Sequence, residues 1–371
     1  MYQENPAVLN DSVLGRSNNF GLIRLIAAIV FAITHMSWVI YGYNLPDRPD
    51  LNLIKQICSC AVCVFFSMSG FLISSSLVER GDIVRFTVAR FLRLCPLLFI
   101  CSVLIAFVVG PLVSELRLID YFVDWHVWVY VPVTTLLYPD MTLPGVFTTV
   151  PDPHEINVSI WTLRYEAIAY FLIAVVASFG YLNRQYFGYV ASAVLVAYLL
   201  ISYGTSLRDT IPFFKHGFTF GMAFLIGAML YIYREAMEFQ SGGVLVVVGL
   251  ALLTNNLIIM EPFRILAIGY TTVWLGLNHA RILTFFRSKS DYSYGLFVFH
   301  WPIAQTVVWM YPGISYIMTV WIALPLALFF AIISWHIVEA PLIALGSKLT
   351  SYLKQTNICC SWMHRKRYSQ S

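Results

Sequence analysis

An arginine and a histidine, Arg24 and His35, lie eleven residues apart in the first hydrophobic segment, FGLIRLIAAIVFAITHMSW. Ionisable side chains at membrane depth are costly, so they indicate a function. Eleven helical steps of 100° come within about 20° of three full turns, so both side chains share one face, about 16 Å apart along the axis. A guanidinium binds phosphate oxygens, and a neutral imidazole accepts protons from hydroxyls. The pair therefore indicates a polar path along the first helix.

A second pair of arginines lies at the edge of the third hydrophobic segment. In ERGDIVRFTVARFLRLCP, Arg90 and Arg93 are three residues apart, so on a helix they share one face. Guanidinium groups bind phosphate oxygens through two hydrogen bonds at once. Arginines at a membrane edge are also common topological anchors, but Arg24 is expected at a similar depth, which favours an anion site.

The fourth hydrophobic segment offers an acid that could orient His35. His35 should lie about 22 Å along the first helix, past the bilayer centre, and Glu166 in SIWTLRYEAIAY enters the membrane from the same outer side. Glu166 is therefore a candidate partner for His35 acting as a general base. Two alternatives stay open: His35 is a buried structural residue, or Glu166 pairs with Arg164 or Arg117.

The composition shows what kind of molecule must position these groups. Hydrophobic residues make up 59% of the 371 positions and charged residues 11%, against about 25% charged in soluble domains. This composition predicts an all-α integral membrane protein with about ten transmembrane helices. The predicted spans are 20–43, 53–78, 94–113, 163–181, 186–204, 212–233, 242–260, 263–279, 293–311 and 315–338.

The distribution of lysine and arginine predicts that both termini are cytoplasmic. With the N-terminus inside, 15 of the 23 basic residues fall in inner segments and 7 in outer ones, with Arg24 inside the first span. We expect a cytoplasmic segment at 1–19, a transmembrane domain at 20–342 and a basic cytoplasmic tail at 343–371. The first span lacks a signal-peptide cleavage pattern, so we expect it to be retained. This asymmetry explains the net charge of +4 without a nucleic-acid partner.

One long outer segment, 114–160, separates the third and fourth spans. It is rich in aromatic residues and prolines, too hydrophobic for a solvated linker and too interrupted by proline for a span. Such a composition favours a re-entrant or interfacial layer, which would form the floor of an acceptor site.

The cysteines indicate neither a metal site nor disulfide bonds. They lack metal-ligand partners and an oxidising location, so we expect packing residues or inert thiols and no metal. The seven are Cys58, Cys60, Cys63, Cys95, Cys101, Cys359 and Cys360.

The order of the motifs resembles the membrane-bound acyltransferase 3 family over about residues 20–342. The shared marks are, in chain order, the Arg24 to His35 spacing, FFSMSGFLI at 65–73, Arg90-x-x-Arg93 followed by Pro96, WTLRYE at 161–166, SYGLFVFHWP at 293–302 and Glu339-x-Pro341. This family transfers acyl groups, usually acetyl from acetyl-CoA, to hydroxyls of cell-surface carbohydrates. One difference is the start of the first span, where many relatives have an acid before the arginine and this chain has none.

The resemblance implies a role for each matching residue. His35 is expected to be the catalytic base, with Glu166 supporting it or contacting the acceptor. The inner arginines, Arg24, Arg90 and Arg93, are expected to bind the phosphates of acetyl-CoA. Four further positions are expected to bind substrate or to be structural, with Glu339 as a candidate ion-pair partner of an inner arginine. They are Trp161, Tyr294, His300 and Glu339.

The expected mechanism joins a cytoplasmic donor to an outer acceptor. The arginines hold the anionic end of acetyl-CoA while the thioester reaches toward His35, which removes the proton of the acceptor hydroxyl without a metal. A covalent acyl-enzyme on Ser67, Ser69 or Ser159 is the alternative, and the spacing of these serines does not distinguish them.

The resemblance also implies a location and partners. We expect a multi-pass protein of the bacterial inner membrane, surrounded by lipids, with a carbohydrate acceptor such as a lipid-linked O-antigen or exopolysaccharide unit. The oligomeric state is not predicted. A transporter or flippase and a polymerase of lipid-linked glycans are the alternative functions. Only the acyltransferase consumes acyl-CoA, and the sequence shows no internal repeat of the kind common in transporters.

Overall fold

The computed structural model describes residues 18–42, 49–138, 142–204, 211–237, 239–254, 260–278 and 290–350. Within these ranges the protein is helical and forms no β-strand beyond one isolated bridge between Ser114 and Val146. Chain segments in lipid must satisfy their own backbone polar groups, which an α-helix does. The predicted all-α class is therefore confirmed. Most of the predicted N-terminal segment and of the basic tail, with Cys359 and Cys360, lies outside the described residues.

A helix lies at each of the ten predicted spans. These helices are α1 (Phe20–Tyr41), α2 (Pro49–Arg80), α3 (Ile83–Leu104), α6 (Trp161–Ser178), α7 (Phe187–Gly204), α8 (Pro212–Ile232), α9 (Ser241–Leu253), α10 (Met260–Leu277), α11 (Ser293–Met310) and α12 (Tyr316–Ser334). Two short helices, α4 (Leu118–Val123) and α5 (Trp125–Thr135), lie in the predicted outer segment.

Five helical stretches of the described chain are long and apolar enough to cross a membrane. They are Phe20–Tyr41, Leu51–Arg80, Ile83–Val113, Val158–Ser178 and Tyr316–Thr350. Three shorter apolar helices, within α7, α8 and α9, accompany them. The chain is thus a helical multi-pass membrane protein, whereas ten crossings and the cytoplasmic side of both termini stay predictions.

Helix α3 begins eleven residues before the predicted span 94–113. Gly81, with φ of +61°, ends α2. Asp82 then caps α3 by accepting a hydrogen bond from the backbone N–H of Arg85, 2.9 Å away. Hydropathy located only the apolar part of α3, whereas the cap determines where the helix starts. The arginine pair of this segment therefore lies inside a regular helix.

Helices α2 and α8 pack with their backbones in close contact. A Cβ atom added to Gly70 would collide with the carbonyl oxygen of Phe224, and one added to Gly227 would collide with that of Ser67. Small residues permit such close approach between helices in lipid. This contact holds the part of α2 that carries FFSMSGFLI, and so positions Ser69.

The predicted outer segment folds back onto α3. Tyr121 of α4 is buried, and its hydroxyl donates a hydrogen bond to the carbonyl oxygen of Ala106, 2.8 Å away, in a π-helical turn that extends α3. Helix α5 also packs on α3, while Trp125 and Trp128 are exposed. Exposed aromatic side chains suit a membrane interface, and the depth of this segment in the membrane stays a prediction.

Helix α11 lies at the centre of the helix bundle and is surrounded by protein. Of its 18 residues, 14 are buried, and it packs against α1 and α12. Gly295 permits the close approach of α12, because a Cβ atom there would collide with Ala331. Helix α12 continues through a π-helical turn, Trp335–Glu339, and on to Thr350. Such a turn changes the direction of the following side chains, and Glu339 points into the protein.

Candidate active site

Four charged side chains from separate elements meet at one end of the helix bundle. Nη1 of Arg24 lies 2.5 Å from Oδ2 of Asp291, and Nη2 of Arg93 lies 2.7 Å from the same oxygen. Nη1 of Arg93 also lies 3.2 Å from Oε2 of Glu339. One carboxylate therefore joins two of the predicted arginines, and a second carboxylate binds Arg93.

Asp291 was missed by the sequence analysis. Its Oδ1 atom accepts hydrogen bonds from the backbone N–H of Ser293, 3.2 Å away, and from the Ser293 hydroxyl, at the start of α11. Burial alone would raise the pKa of the Asp291 carboxyl, but Arg93 and Arg24 outweigh burial and hold this pKa below its ordinary value. The available signal was an acid placed two residues before the start of SYGLFVFHWP.

Glu339 is almost completely buried, with 2% of its surface exposed. Its Oε2 atom pairs with Arg93, and its Oε1 atom accepts a hydrogen bond from the Ser334 hydroxyl, 3.1 Å away. Burying a carboxylate is unfavourable unless both oxygens have partners. Here both do, so Glu339 holds Arg93 in place.

Arg90 has a different environment from Arg93. Its guanidinium lies 6.0 Å from the ring centroid of Phe86 and 5.7 Å from that of Tyr170. Among the described residues, no carboxylate lies within ion-pair distance of Arg90, and its buried Nε has no hydrogen-bond partner. Of the three predicted phosphate-binding arginines, Arg90 is the one whose charge no described acid neutralises.

The three arginines line one cavity of about 340 Å³, which we call the arginine cavity. This volume is near the lower limit of small-molecule sites, about 300–1,000 Å³, so the cavity encloses only part of a ligand as large as an acyl-CoA. Its polar wall includes Arg24, Arg90, Arg93, Asp291, Ser69, Glu166, Tyr170, Thr162, Ser293 and Tyr294.

Glu166 lies on the wall of the arginine cavity. Its Oε1 atom accepts hydrogen bonds from the Ser69 hydroxyl, 3.1 Å away, and from the Tyr170 hydroxyl. Tyr170 in turn packs against Arg90. The structure therefore brings Glu166 together with the arginines, although its place near the predicted outer end of α6 suggested a position beside His35.

The two alternative partners of Glu166 are engaged elsewhere. Nε of Arg117 lies 2.7 Å from Oδ2 of Asp120. The guanidinium of Arg164 lies 5.4 Å from the ring centroid of Tyr165. In the part of the chain that the structure describes, neither arginine forms an ion pair with Glu166.

His35 contacts a second histidine. Its Nδ1 atom lies 3.1 Å from Nε2 of His300, and both side chains are buried. Nδ1 of His300 lies 2.9 Å from the carbonyl oxygen of Phe297 and 3.1 Å from that of Leu296. The side-chain partner of His35 in this structure is therefore His300, and not Glu166.

Two aromatic rings separate His35 from the arginine cavity. Phe297 lines the cavity and stacks on Phe31 with 4.9 Å between ring centroids. The ring centroid of Phe31 in turn lies 3.9 Å from that of His35. The arginine cavity, which Arg24 lines, therefore does not extend to His35, and Phe31 and Phe297 lie between them.

Tyr294 and Trp161 have different surroundings. Tyr294 lines the arginine cavity, its hydroxyl donates a hydrogen bond to the carbonyl oxygen of Leu94, 2.7 Å away, and its ring centroid lies 5.3 Å from the guanidinium of Arg93. Trp161 packs instead against His216, with 4.8 Å between ring centroids. Tyr294 thus supports the arginine cluster, and Trp161 belongs to an aromatic cluster next to the cavity.

The structure distinguishes the three serines considered as acyl carriers. Ser69 faces the arginine cavity and is bonded to Glu166. The hydroxyls of Ser67 and Ser159 are buried without a described hydrogen-bond partner. Ser69 is therefore the one of the three that lines this cavity.

The described residues contain no group of three or more His, Cys, Asp or Glu side chains arranged to hold a metal ion. The five cysteines among them are free thiols: Cys58, Cys60, Cys63, Cys95 and Cys101.

Comparisons with known proteins match most of the chain. A protein named O-acetyl transferase from Shigella phage Sf6 is 27% identical over 337 residues, which cover 87% of this chain and 95% of the phage protein. Nodulation protein 10 of Rhizobium leguminosarum bv. viciae is 24% identical over 372 aligned positions, covering 92% and 97% of the two chains. No solved structure matches the chain. A family model described as an acyltransferase domain matches residues 18–338, so the chain belongs to the acyltransferase 3 family and is an acyltransferase.

Proposed function

We propose that this protein transfers an acetyl group from cytoplasmic acetyl-CoA to a hydroxyl of a cell-surface carbohydrate, such as a lipid-linked O-antigen or exopolysaccharide unit, in a bacterial inner membrane. The observation that carries the proposal is the arginine cavity, which is separated from the buried His35 by two aromatic rings. The arginine cavity suits an anionic acyl donor, and the buried His35 would act as the general base. The name of the phage relative supports O-acetylation.

Arg90 is assigned to the phosphates of the donor. An arginine without an acid partner gains most from binding an anion, because its charge and its N–H groups are not yet satisfied. Arg24 and Arg93 share Asp291, and Arg93 also pairs with Glu339. A guanidinium has five N–H groups, so both arginines retain N–H groups that could bind phosphate oxygens. The ion pairs fix these two guanidinium groups in place. Side chains that are already fixed lose less conformational entropy when they bind a phosphate.

The cavity holds part of the donor, and the thioester must pass Phe31 and Phe297 to reach His35. Rotation of these side chains opens the path, and their return would exclude water from the reacting thioester. His35 would then accept the proton of the hydroxyl as its oxygen attacks the thioester carbonyl. The C–S bond breaks, the proton passes to the leaving sulfur, and the products are an acetyl ester and CoA.

Glu166 is assigned to substrate contact. The resemblance implies that Glu166 either supports His35 or contacts the acceptor. Contact with the acceptor is the role we favour, because Glu166 lies on the wall of the arginine cavity, where its carboxylate accepts two hydroxyl hydrogen bonds, and not beside His35. Tyr294, Asp291 and Glu339 hold the arginines in place.

The proposal is tested by label transfer in isolated membranes. Membranes that contain the protein should move radiolabelled acetyl from acetyl-CoA into extracted glycolipid or polysaccharide, and mass spectrometry should show an acetyl mass gain. His35→Ala should abolish this transfer at equal protein levels. His126→Ala is the matched control, because His126 is 40% exposed and pairs with Asp124 in the segment that follows α3. Full activity of His35→Ala would overturn the assigned base, and the lack of any acetylated glycan would overturn the substrate class.

A further inference from the structure

We infer that His300 is a positioning residue that fixes the tautomer of His35, so that Nε2 of His35 is the atom that accepts the hydroxyl proton. The inference rests on the proposed function, because it deepens the role of His35 as the base.

The tautomer of His300 is determined by backbone carbonyls. Its Nδ1 atom lies 2.9 Å and 3.1 Å from the carbonyl oxygens of Phe297 and Leu296. Carbonyl oxygens only accept hydrogen bonds, so Nδ1 must carry the hydrogen. A lone pair on Nδ1 would instead face two oxygen atoms. In a neutral imidazole, Nε2 of His300 then carries the lone pair.

The tautomer of His35 follows from that of His300. Nδ1 of His35 lies 3.1 Å from Nε2 of His300, and one of these two nitrogens must donate. Because Nε2 of His300 is the acceptor, Nδ1 of His35 carries the hydrogen. Nε2 of His35 is therefore unprotonated and free to accept a proton.

Burial keeps both rings neutral and holds them in this arrangement. His35 is 1% exposed and His300 is 0% exposed, and an isolated charged imidazolium is unfavourable in such an environment. The ring centroid of His35 lies 4.7 Å from that of Trp38 and 5.4 Å from that of Trp301. Trp301 is itself held, because its Nε1 donates to the carbonyl oxygen of Glu155, 3.1 Å away. These contacts oppose rotation of the His35 ring.

The inference predicts different effects for two replacements of His300. In His300→Gln the amide oxygen takes the approximate place of Nε2 and still accepts from His35. In His300→Leu the ring is replaced by an apolar group that cannot accept. A general base contributes about 10²–10⁴-fold to a rate, so losing its orientation should cost a part of that factor.

The experiment measures acetyl transfer in membranes from cells that make both this protein and its carbohydrate acceptor. The acetyl-CoA concentration is varied, and all variants are compared at equal protein levels. We expect His300→Leu to lower kcat by about tenfold or more with an unchanged KM for acetyl-CoA. His300→Gln should recover most of the rate. Equal losses in both variants would assign His300 to packing alone and overturn the inference, as would full activity of His300→Leu.

Failure of the proposed function gives a different result. If wild-type membranes transfer no acetyl group, the proposed function fails, and the inference fails with it. If wild-type membranes are active, His35→Ala is inactive and His300→Leu is fully active, only the inference fails. A second readout does not use activity: in protein labelled with ¹⁵N-histidine, solid-state NMR should show His35 protonated at Nδ1, and a signal for protonated Nε2 would overturn the inference.

Discussion

Arg93 and Asp291 lie 198 positions apart in the chain, yet Nη2 of Arg93 is 2.7 Å from Oδ2 of Asp291. The same oxygen binds Arg24. Asp291 thus joins α1 and α3 to the start of α11, the helix that also carries His300. The ion cluster and the histidine pair are therefore built on the same central helix.

Removing the shared carboxylate should destabilise the protein. Breaking a mostly buried ion pair leaves charges without a partner and costs about 2–4 kcal/mol in this partly solvated cluster. We expect Asp291→Asn to lower the thermal unfolding midpoint of the detergent-solubilised protein. Asp120→Asn, which affects the exposed pair with Arg117, should leave the midpoint nearly unchanged. Equal midpoints for wild type and Asp291→Asn would contradict the structural role.

The stabilisation by Asp291 should depend on pH only in the acid range. The pKa of Asp291 in the folded protein lies below its ordinary value of 3.8. Its contribution is therefore complete above pH 3.8 and is lost as the pH falls from 3.8 through the lower folded-state pKa. The difference in unfolding midpoint between wild type and Asp291→Asn should be constant from about pH 5 to pH 8. A difference that declines within that range would show that Asp291 is not held by the arginines.

Arg90 should chiefly affect use of the donor. Charge-assisted hydrogen bonds contribute about 1.5–3 kcal/mol each, so Arg90→Ala should raise the KM for acetyl-CoA by about 10- to 150-fold. Arg90→Lys should raise the KM for acetyl-CoA by less, because lysine keeps the charge but not the paired N–H groups. Arg85→Ala is the control, since Arg85 lies on α3 outside the cavity wall. An unchanged KM in Arg90→Ala would remove Arg90 from the donor site.

Phe297 should control access of water to the thioester. Its ring stacks on Phe31 between the arginine cavity and His35, so Phe297→Leu should leave a gap in this barrier. We expect more CoA release from acetyl-CoA without acetylated product, measured as free thiol. Phe299→Leu, on the same helix but packed against Phe330, serves as the control. Equal thiol release in both variants would mean that Phe297 does not form the barrier.

Ser69 tests direct transfer against an acyl-enzyme. If His35 activates the acceptor directly, Ser69→Ala should lose only the hydrogen bond to Glu166 and keep transfer within about tenfold. Intact-protein mass spectrometry after incubation with acetyl-CoA should show no added acetyl group. A trapped acetyl group on Ser69, absent from Ser69→Ala together with all activity, would establish the covalent route instead.

The positions of the helices at the ten predicted spans were predictable because hydrophobic length is a local property. A helix lies at each of the ten predicted segments. Arg90 and Arg93, which the 3.6-residue period predicts on one helix face, both line the arginine cavity. Helix ends were less predictable. Hydropathy placed the start of α3 eleven residues late. Gly81 and Asp82 determine where this helix begins, and neither residue contributes to a hydrophobic segment.

The amino-acid sequence by itself determined the all-α class, the motif order and the residue types available for chemistry, since these depend on composition and short-range periodicity. Only the tertiary structure decided which groups meet: Asp291 with two arginines, Glu166 with the arginine cavity, and His35 with His300. These partners lie on different helices, and their contact depends on how small residues let helices approach and rotate against one another. That packing is a property of the assembled bundle, which no single segment of sequence specifies.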